Sequence, residues 1–272
     1  MWGLGRVKNA LRRSVARHRR SGPVMALHKA AEFLESAWHN EGADFETNGE
    51  RFVLERLRAA DFKVAFDVGA NVGHWTHAAL DLWQGCHIHA FEVAPRTFAK
   101  METNARSWTH AQRAHLHPFG LSDAAGELTM YYFPDRDELT CDVLRHEGLT
   151  VLPFDARVST SDLFCSEHGI DRIDFLKIDV EGAEHRVLKG ATDLLRARRI
   201  DCIQFEYGAF SIDTRIMLKD YFGWLGESHV IGKIFPNHVA FTDYDRTMED
   251  FRFSNYLCIS RGRLDLQHLV QG

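Results

Sequence analysis

From Lys63 onward, short apolar runs alternate with stretches of helical periodicity, and this alternation constrains the fold more than any other feature of the chain. Strands separated by helices can return to the same sheet only by crossing over it, so they pair in parallel. The runs predict strands at Val64–Val68, His87–Glu92, His115–Phe119, Phe175–Asp179 and Cys202–Tyr207. Between them the spacing predicts helices at Trp75–Trp83, Pro95–Trp108 and Ala183–Ala197. Segment 123–170 is less regular and reads as a strand at Leu128–Phe133 followed by a surface excursion. After a helix near Ile216–Trp224, His229–Phe235 and His238–Phe241 form a hairpin around Pro236-Asn237, and Asn255–Ser260 is the last strand. The expected architecture is α/β, a mostly parallel seven-stranded Rossmann-like sheet with helices on both faces and an antiparallel closing hairpin.

Upstream of Lys63 the pattern is purely helical. Leu4, Val7, Leu11 and Val15 recur at helical spacing with cations between them, as a basic amphipathic helix requires. Ser21-Gly22-Pro23 breaks the chain; Leu27, Ala31, Leu34 and Trp38 then mark a second helix, and Val53, Leu57 and Ala60 a third, both read as a cap preceding the sheet. A chain of 272 residues, 45% hydrophobic and 26% charged, holds one large domain and an appendage, divided here into an arm with cap helices at 1–45 and the α/β domain at 46–272. The net charge of −5 includes seven cations and no acid in the first twenty residues, so the rest of the chain carries −12. Such a body repels nucleic-acid phosphates, whereas residues 1–20 suit packing on the body, a protein partner or peripheral contact with an anionic membrane. Cys86, Cys141, Cys165, Cys202 and Cys258 lie far apart without a C-x-x-C pair, which excludes a zinc ribbon and a disulfide framework and points to a reducing, cytoplasmic setting. No apolar run is long enough to span a bilayer, and the cationic start lacks a signal-type apolar core, so a soluble protein is expected.

The densest chemical signal is Phe66-Asp67-Val68-Gly69-Ala70-Asn71-Val72-Gly73, a strand that ends in a glycine turn and opens a helix. Gly69 and Gly73 permit a tight turn and close approach to a ligand, and Asp67 at the strand end can accept hydrogen bonds from a ligand ammonium. The G-x-x-x-G spacing departs from the dinucleotide pattern G-x-G-x-x-G and turns the reading away from NAD. Glu92 closes the next strand about twenty residues beyond the turn, where an acid holds ribose hydroxyls in nucleoside-binding folds. Ser122 and Asp123 follow the third strand, facing the adenine edge of such a nucleoside. Asp179 and Glu181 close the fourth strand and Glu206 the fifth; three carboxylates converging on one sheet edge are electrostatically costly without a function.

In order along the chain, Asn48-Gly49-Glu50, FDVGANVG (66–73), FEVAP (91–95), GLSD (120–123), LKIDVEGAE (176–184), QFEYG (204–208) and SNYL (254–257) resemble the FkbM-type methyltransferases. The resemblance runs from about Asn48 to Ser260 and leaves the arm outside it. It implies a class I methyltransferase fold and S-adenosyl-L-methionine as cofactor, with Asp67, Gly69, Asn71, Gly73, Glu92 and Asp123 lining its pocket and the DVEG stretch beside the acceptor. It also implies a small-molecule or glycan acceptor, a hydroxyl on a sugar, glycolipid or natural product. The chemistry left to the protein is alignment of that oxygen with the methyl and removal of its proton. Asp179 and Glu206 could do so in two ways: holding one Mg²⁺ that acidifies the hydroxyl, or, without metal, one carboxylate acting as general base. The second is preferred, on the expectation that Glu181, the third oxygen ligand a metal would want, points into solvent.

Two other readings stay open. An NAD-dependent oxidoreductase would use the same turn and Glu92 but lacks a Tyr-x-x-x-Lys pair in place, and a non-catalytic member of the fold would bind partners through the basic arm. His87-x-His89 and His115-x-His117 put paired imidazoles on one face of adjacent strands, yet no acid or cysteine completes a metal set, so packing is expected there. His74 and His77 follow the glycine turn, where they can touch the cofactor, with solvation the favoured role for His77. Phe205, Tyr207, Phe210, Tyr221, Phe222 and Trp224 are read as core aromatics, with a wall of the acceptor pocket as the alternative. The irregular segments 134–170 and 208–250 are expected to shape that pocket.

Overall fold

The computed structural model describes residues 2–134, 136, 140–142 and 149–271. Residues 135, 137–139 and 143–148, part of the excursion expected to shape the acceptor pocket, lie outside the described residues. The chain divides into two compact units, Met1–Gly42 and Ala43–Gly272.

The first unit is two helices, α1 (Trp2–Arg17) and α2 (Gly22–His39). Pro23 in the first turn starts α2, where its missing amide costs nothing, and Asn40 ends it in the left-handed region (φ 56°). Leu27, Leu34 and Trp38 are exposed, and α2 buries none of its residues.

In the second unit α3 (Glu50–Arg56) precedes β1 (Val64–Val68), α4 (His74–Leu82), β2 (His87–Phe91), α5 (Pro95–Ala105) and β3 (Ala114–His117). There follow β4 (Gly120–Leu121), β5 (Gly126–Tyr132), β6 (Leu152–Ser159), α6 (Ser161–His168) and β7 (Ile173–Ile178). Next come α7 (Glu184–Lys189), α8 (Thr192–Arg196), β8 (Ile200–Tyr207), α9 (Phe210–Thr214) and α10 (Leu218–Leu225). The hairpin β9 (His229–Phe235) and β10 (His238–Phe241), then β11 (Ser254–Ser260) and α11 (Leu264–Val270), complete the chain.

The main sheet has the order β3-β2-β1-β7-β8-β11-β9-β10. The first five strands are parallel neighbours, while β11 runs antiparallel between β8 and β9. This is the Rossmann-like class I methyltransferase arrangement, with eight strands rather than the expected seven because β10 pairs along β9 and extends the edge. The winding reverses between β1 and β7, so the carboxyl ends of these two strands flank the crevice where such sheets bind ligands. Apolar residues cover both faces: Val53, Leu54, Trp75, Trp83 and Phe175 on one, Phe66, Phe91, Phe164, Leu176 and Tyr221 on the other. All of β7 and β8 is buried, as parallel strands sandwiched between helix layers must be.

Two local differences from expectation have physical causes. The helix predicted over Ala183–Ala197 is two, because a Cβ at Gly190 would run into the carbonyl of Ser122 and the chain must pass that loop closely. The excursion holds a second, three-stranded sheet in the order β4-β6-β5, in which β6 is mostly exposed along its first half and so shows little apolar signal. Among the described residues no helix is long and apolar enough to cross a membrane.

Candidate active site

A cleft of about 570 Å³ opens at the carboxyl ends of β1, β2, β7 and β8. Gly69, Asn71, Glu92, Ser122, Asp179, Glu181 and Glu206 all reach its wall. Asp67, Gly73 and Asp123 do not. Asp67 stands fully buried behind the wall, where its Oδ2 accepts from Thr76 Oγ1 at 2.6 Å. Gly73 is demanded by packing, since at φ 87° a Cβ would press on the Trp108 ring at 2.6 Å. Asp123 accepts from Ser122 Oγ at 3.1 Å and lies half exposed near Arg186. Of the histidines after the turn, His74 lines the cleft while His77 stacks on Trp108 with 5.4 Å between ring centroids.

The glycine turn is built around β2. The amides of Gly69 and Ala70 both donate to the Phe91 carbonyl at 3.0 Å, and Gly69 sits so close to the backbone of Asp179 that no side chain fits. Asn71, in the left-handed region at φ 50°, donates its amide to Glu92 Oε2 at 2.9 Å, and Ala94 donates to Oε1 at 2.7 Å. Burial drives the Glu92 pKa up to about 7 against these two hydrogen bonds. Each carboxylate oxygen retains a second lone pair, so Glu92 can still accept from a ligand diol. Two buried polar atoms of the wall, Asn71 Oδ1 and Trp75 Nε1, have no hydrogen-bond partner among the described residues.

Opposite the turn lies a polar row that the sequence pattern did not assign. Parallel register aligns Asp67, Lys177 and Gln204 across β1, β7 and β8, with Asp179 and Glu206 two residues further along their strands or strand ends. Lys177, 5% exposed, places Nζ 2.7 Å from Asp179 Oδ2 and 3.8 Å from Asp67 Oδ1. Burial opposes its charge, yet the carboxylates of Asp179, Asp67 and Glu50 outweigh burial and raise its pKa. Glu50, at the start of α3, accepts from Gln204 Nε2 at 2.6 Å and Asn48 Nδ2 at 2.8 Å and closes the row from above. Gly49 makes that approach possible, because at φ 101° a side chain would strike the backbone of Phe235. The missed signal was a lysine and a glutamine buried inside mostly apolar strands.

Asp179, Glu181 and Glu206 converge, with carboxylate oxygens within 4.8 Å of one another. Glu181 turns inward rather than into solvent, because its φ of 54° and the φ of 100° at Gly182 fold the loop back. Buried Glu184 fixes this loop by accepting from the amides of Gly182 at 2.9 Å and Val180 at 3.3 Å. Glu206 is buried, and among the described residues no hydrogen bond reaches its carboxylate. Burial first, then the neighbouring Asp179 and Glu181, push its pKa well above the carboxylate range.

The strand histidines pair with each other. His87 Nδ1 lies 3.0 Å from His115 Nε2, and His89 Nδ1 lies 3.1 Å from His117 Nε2, with the rings stacked along β2 and β3. Among the described residues the carboxylate trio is the one group of three or more such side chains close enough to share a metal, so these imidazoles pack. Phe205, Tyr207 and Tyr221 are fully buried core; none of the six predicted aromatics lines the cleft, although Phe253 does.

The Methyltransferase FkbM domain matches residues 67–250. The 31-O-demethyl-FK506 methyltransferase FkbM of Streptomyces tacrolimicus is 34% identical over 165 residues, which are 50% of this chain and 62% of that protein. The hexuronic acid methyltransferase AglP of Haloferax volcanii is 25% identical over 197 residues, 72% of this chain and 77% of that one. The crystal structure of an FkbM methyltransferase from Methylobacillus flagellatus KT aligns with a TM-score of 0.45 at 18% identity, covering 73% of this chain and 43% of its own. With a family match spanning most of the second unit and all the cleft-forming strand ends from β1 to β8, the chain belongs to the FkbM methyltransferase family.

Proposed function

We propose that the chain is an S-adenosylmethionine-dependent O-methyltransferase acting on a hydroxyl of a sugar, glycolipid or natural-product acceptor. The observation that carries this reading is one cleft with Glu92 at the β2 end and Asp179, Glu181 and Glu206 at the β7 and β8 ends. The cofactor fits what the wall offers: Glu92 for the ribose hydroxyls, unpartnered Asn71 Oδ1 and Trp75 Nε1 for further polar contacts, and Ser122 toward the base. When bound, S-adenosylmethionine supplies a methyl group already activated by the positive charge on its sulfur.

The protein is then left with orientation and proton removal. Glu206 is the group for the second task. Its carboxylate is buried, receives no hydrogen bond among the described residues and is raised in basicity by burial and by Asp179 and Glu181. Asp179, held by Lys177, shapes the polar wall beside Glu206, so that the acceptor hydroxyl directs its single proton to Glu206. The relatives support the acceptor class, since one is named for a hexuronic acid and the other for a hydroxyl position of FK506. The trio could also hold a cation such as Mg²⁺, as hard oxygen ligands allow. Lys177 already supplies positive charge at Asp179, and this favours the metal-free version.

Calorimetry with S-adenosylhomocysteine and with NAD separates the cofactor readings; tight NAD binding alone would refute this proposal. A radiolabelled-methyl screen over uronic acids, other sugars, lipid-linked glycans and macrolide-type hydroxyls then identifies the acceptor. Turnover untouched by EDTA is the expected result, and its loss with recovery on adding Mg²⁺ would reinstate the metal.

A further inference from the structure

The first unit presents a surface that its own residues do not satisfy. Val7 and Leu11 on α1 are 69% and 63% exposed, and Leu27, Leu34 and Trp38 on α2 are 62%, 66% and 79% exposed. These are not scattered residues. Val7, Leu11 and Val15 fall on one side of α1, and Leu27, Leu34 and Trp38 on one side of α2, at spacings of four and seven. Eight of the fourteen exposed large hydrophobic side chains among the described residues belong to this short unit. An apolar stripe kept in water is unfavourable, so a further surface must cover it.

Charge selects the occupant. Arg6, Lys8, Arg12, Arg13 and Arg17 occupy the rest of α1 and are exposed, and Arg19 and Arg20 follow directly. No acid lies in the first twenty residues, while the remainder of the chain carries −12. Only this segment can be drawn to an anionic surface, because the remainder is repelled by it. Helices with cations on one face and Leu, Phe or Trp on the other lie flat in a bilayer interface, cations at the headgroups and apolar side chains among the upper acyl chains. We infer that residues 2–39 form an interfacial anchor for an anionic lipid surface, in which α1 supplies the attraction and the Leu27, Leu34 and Trp38 stripe of α2 inserts.

Sedimentation of the full chain with phosphatidylcholine vesicles, with and without phosphatidylglycerol, tests this at physiological salt. The chain is expected to pellet with the anionic vesicles and stay in solution with the neutral ones. Arg12→Glu/Arg13→Glu/Arg17→Glu and Leu34→Ser/Trp38→Ser should each weaken binding about tenfold or more, the first by losing attraction and the second by losing insertion. All five positions are exposed, so circular dichroism of either variant should match the parent. Absence of binding to anionic vesicles overturns the inference, as does binding that Leu34→Ser/Trp38→Ser leaves unchanged. A dimer in analytical ultracentrifugation that this variant abolishes, in a chain that ignores vesicles, would instead assign the stripe to a second copy and overturn it equally.

Discussion

Two groups of titratable side chains lie on the main sheet and meet burial in opposite ways. On β2 and β3, His87, His89, His115 and His117 stack ring on ring and share hydrogen bonds pairwise. Burial pulls His89 down to about 3 and His117 to about 4, so at neutral pH these two rings are uncharged and behave as aromatic packing. At the ends of β7 and β8, Lys177 remains charged between Asp67 and Asp179, while burial and then the neighbouring Asp179 and Glu181 hold the Glu206 pKa well above the carboxylate range. A ladder that can discard its charge becomes part of the core. A row that keeps charge needs a resident counter-ion, and a carboxylate left over beside it in an open cleft is poised to exchange a proton.

Removing the counter-ion tests the row most severely. Lys177→Met leaves Asp67 and Asp179 uncompensated and should cost about 3–5 kcal/mol of stability in urea unfolding. Adding Asp179→Asn should return part of that loss; a Lys177→Met protein as stable as the parent would break the comparison, because the row would then need no balance. Next in size, Asp179→Asn alone should lower methyl transfer by about two orders of magnitude or more while S-adenosylhomocysteine still binds. Near-normal turnover would remove Asp179 from the chemistry. Glu206→Gln should likewise abolish the rising limb of the pH–rate profile, which the raised Glu206 pKa places above the usual carboxylate range. On the far wall, Glu92→Ala should weaken S-adenosylhomocysteine by about 2 kcal/mol in calorimetry, through loss of an acceptor for two hydroxyls. An unchanged affinity there would end the ribose assignment.

The winding of the sheet and the glycine turn were legible in the sequence because each depends on local pattern: the alternation of strand and helix, and a strand that runs into glycines. Glu92, Asp179 and Glu206 were legible too, since an acid at a strand end is marked by the end of an apolar run. The surroundings of Asp67 were not legible, for an instructive reason. Only the parallel register between β1 and β7 shows that it faces Lys177 beneath the wall rather than the cleft. Lys177, Gln204 and Glu50 were overlooked for the same reason, as each acquires its role from strands or helices distant in sequence. The inward turn of Glu181 depends on a backbone conformation that a non-glycine residue rarely adopts, and no composition rule anticipates it.

The smallest expected effect separates the buried imidazoles from buried carboxylates elsewhere at the sheet ends by the sign of their response to acid. His89 and His117 have folded pKa values of about 3 and about 4, below the ordinary 6.5. The unfolded chain therefore takes up protons first, and stability present above pH 6.5 erodes as the pH falls toward 4. Glu92 and Glu184 lie at about 7, above the ordinary 4.5, so the folded chain takes up protons first and gains stability as pH falls from 7 toward 4.5. Between pH 4.5 and 6.5 the two groups oppose each other, and the parent's melting temperature should vary little there. His89→Leu/His117→Leu removes one side of this balance, so its melting temperature should rise relative to the parent by a few degrees as the pH is lowered through that window. Glu92→Gln should shift it the other way. Variant and parent curves that stay parallel from pH 7 to 4.5 would show that neither pair changes protonation on unfolding, and the contrast between buried imidazoles and buried carboxylates would not hold.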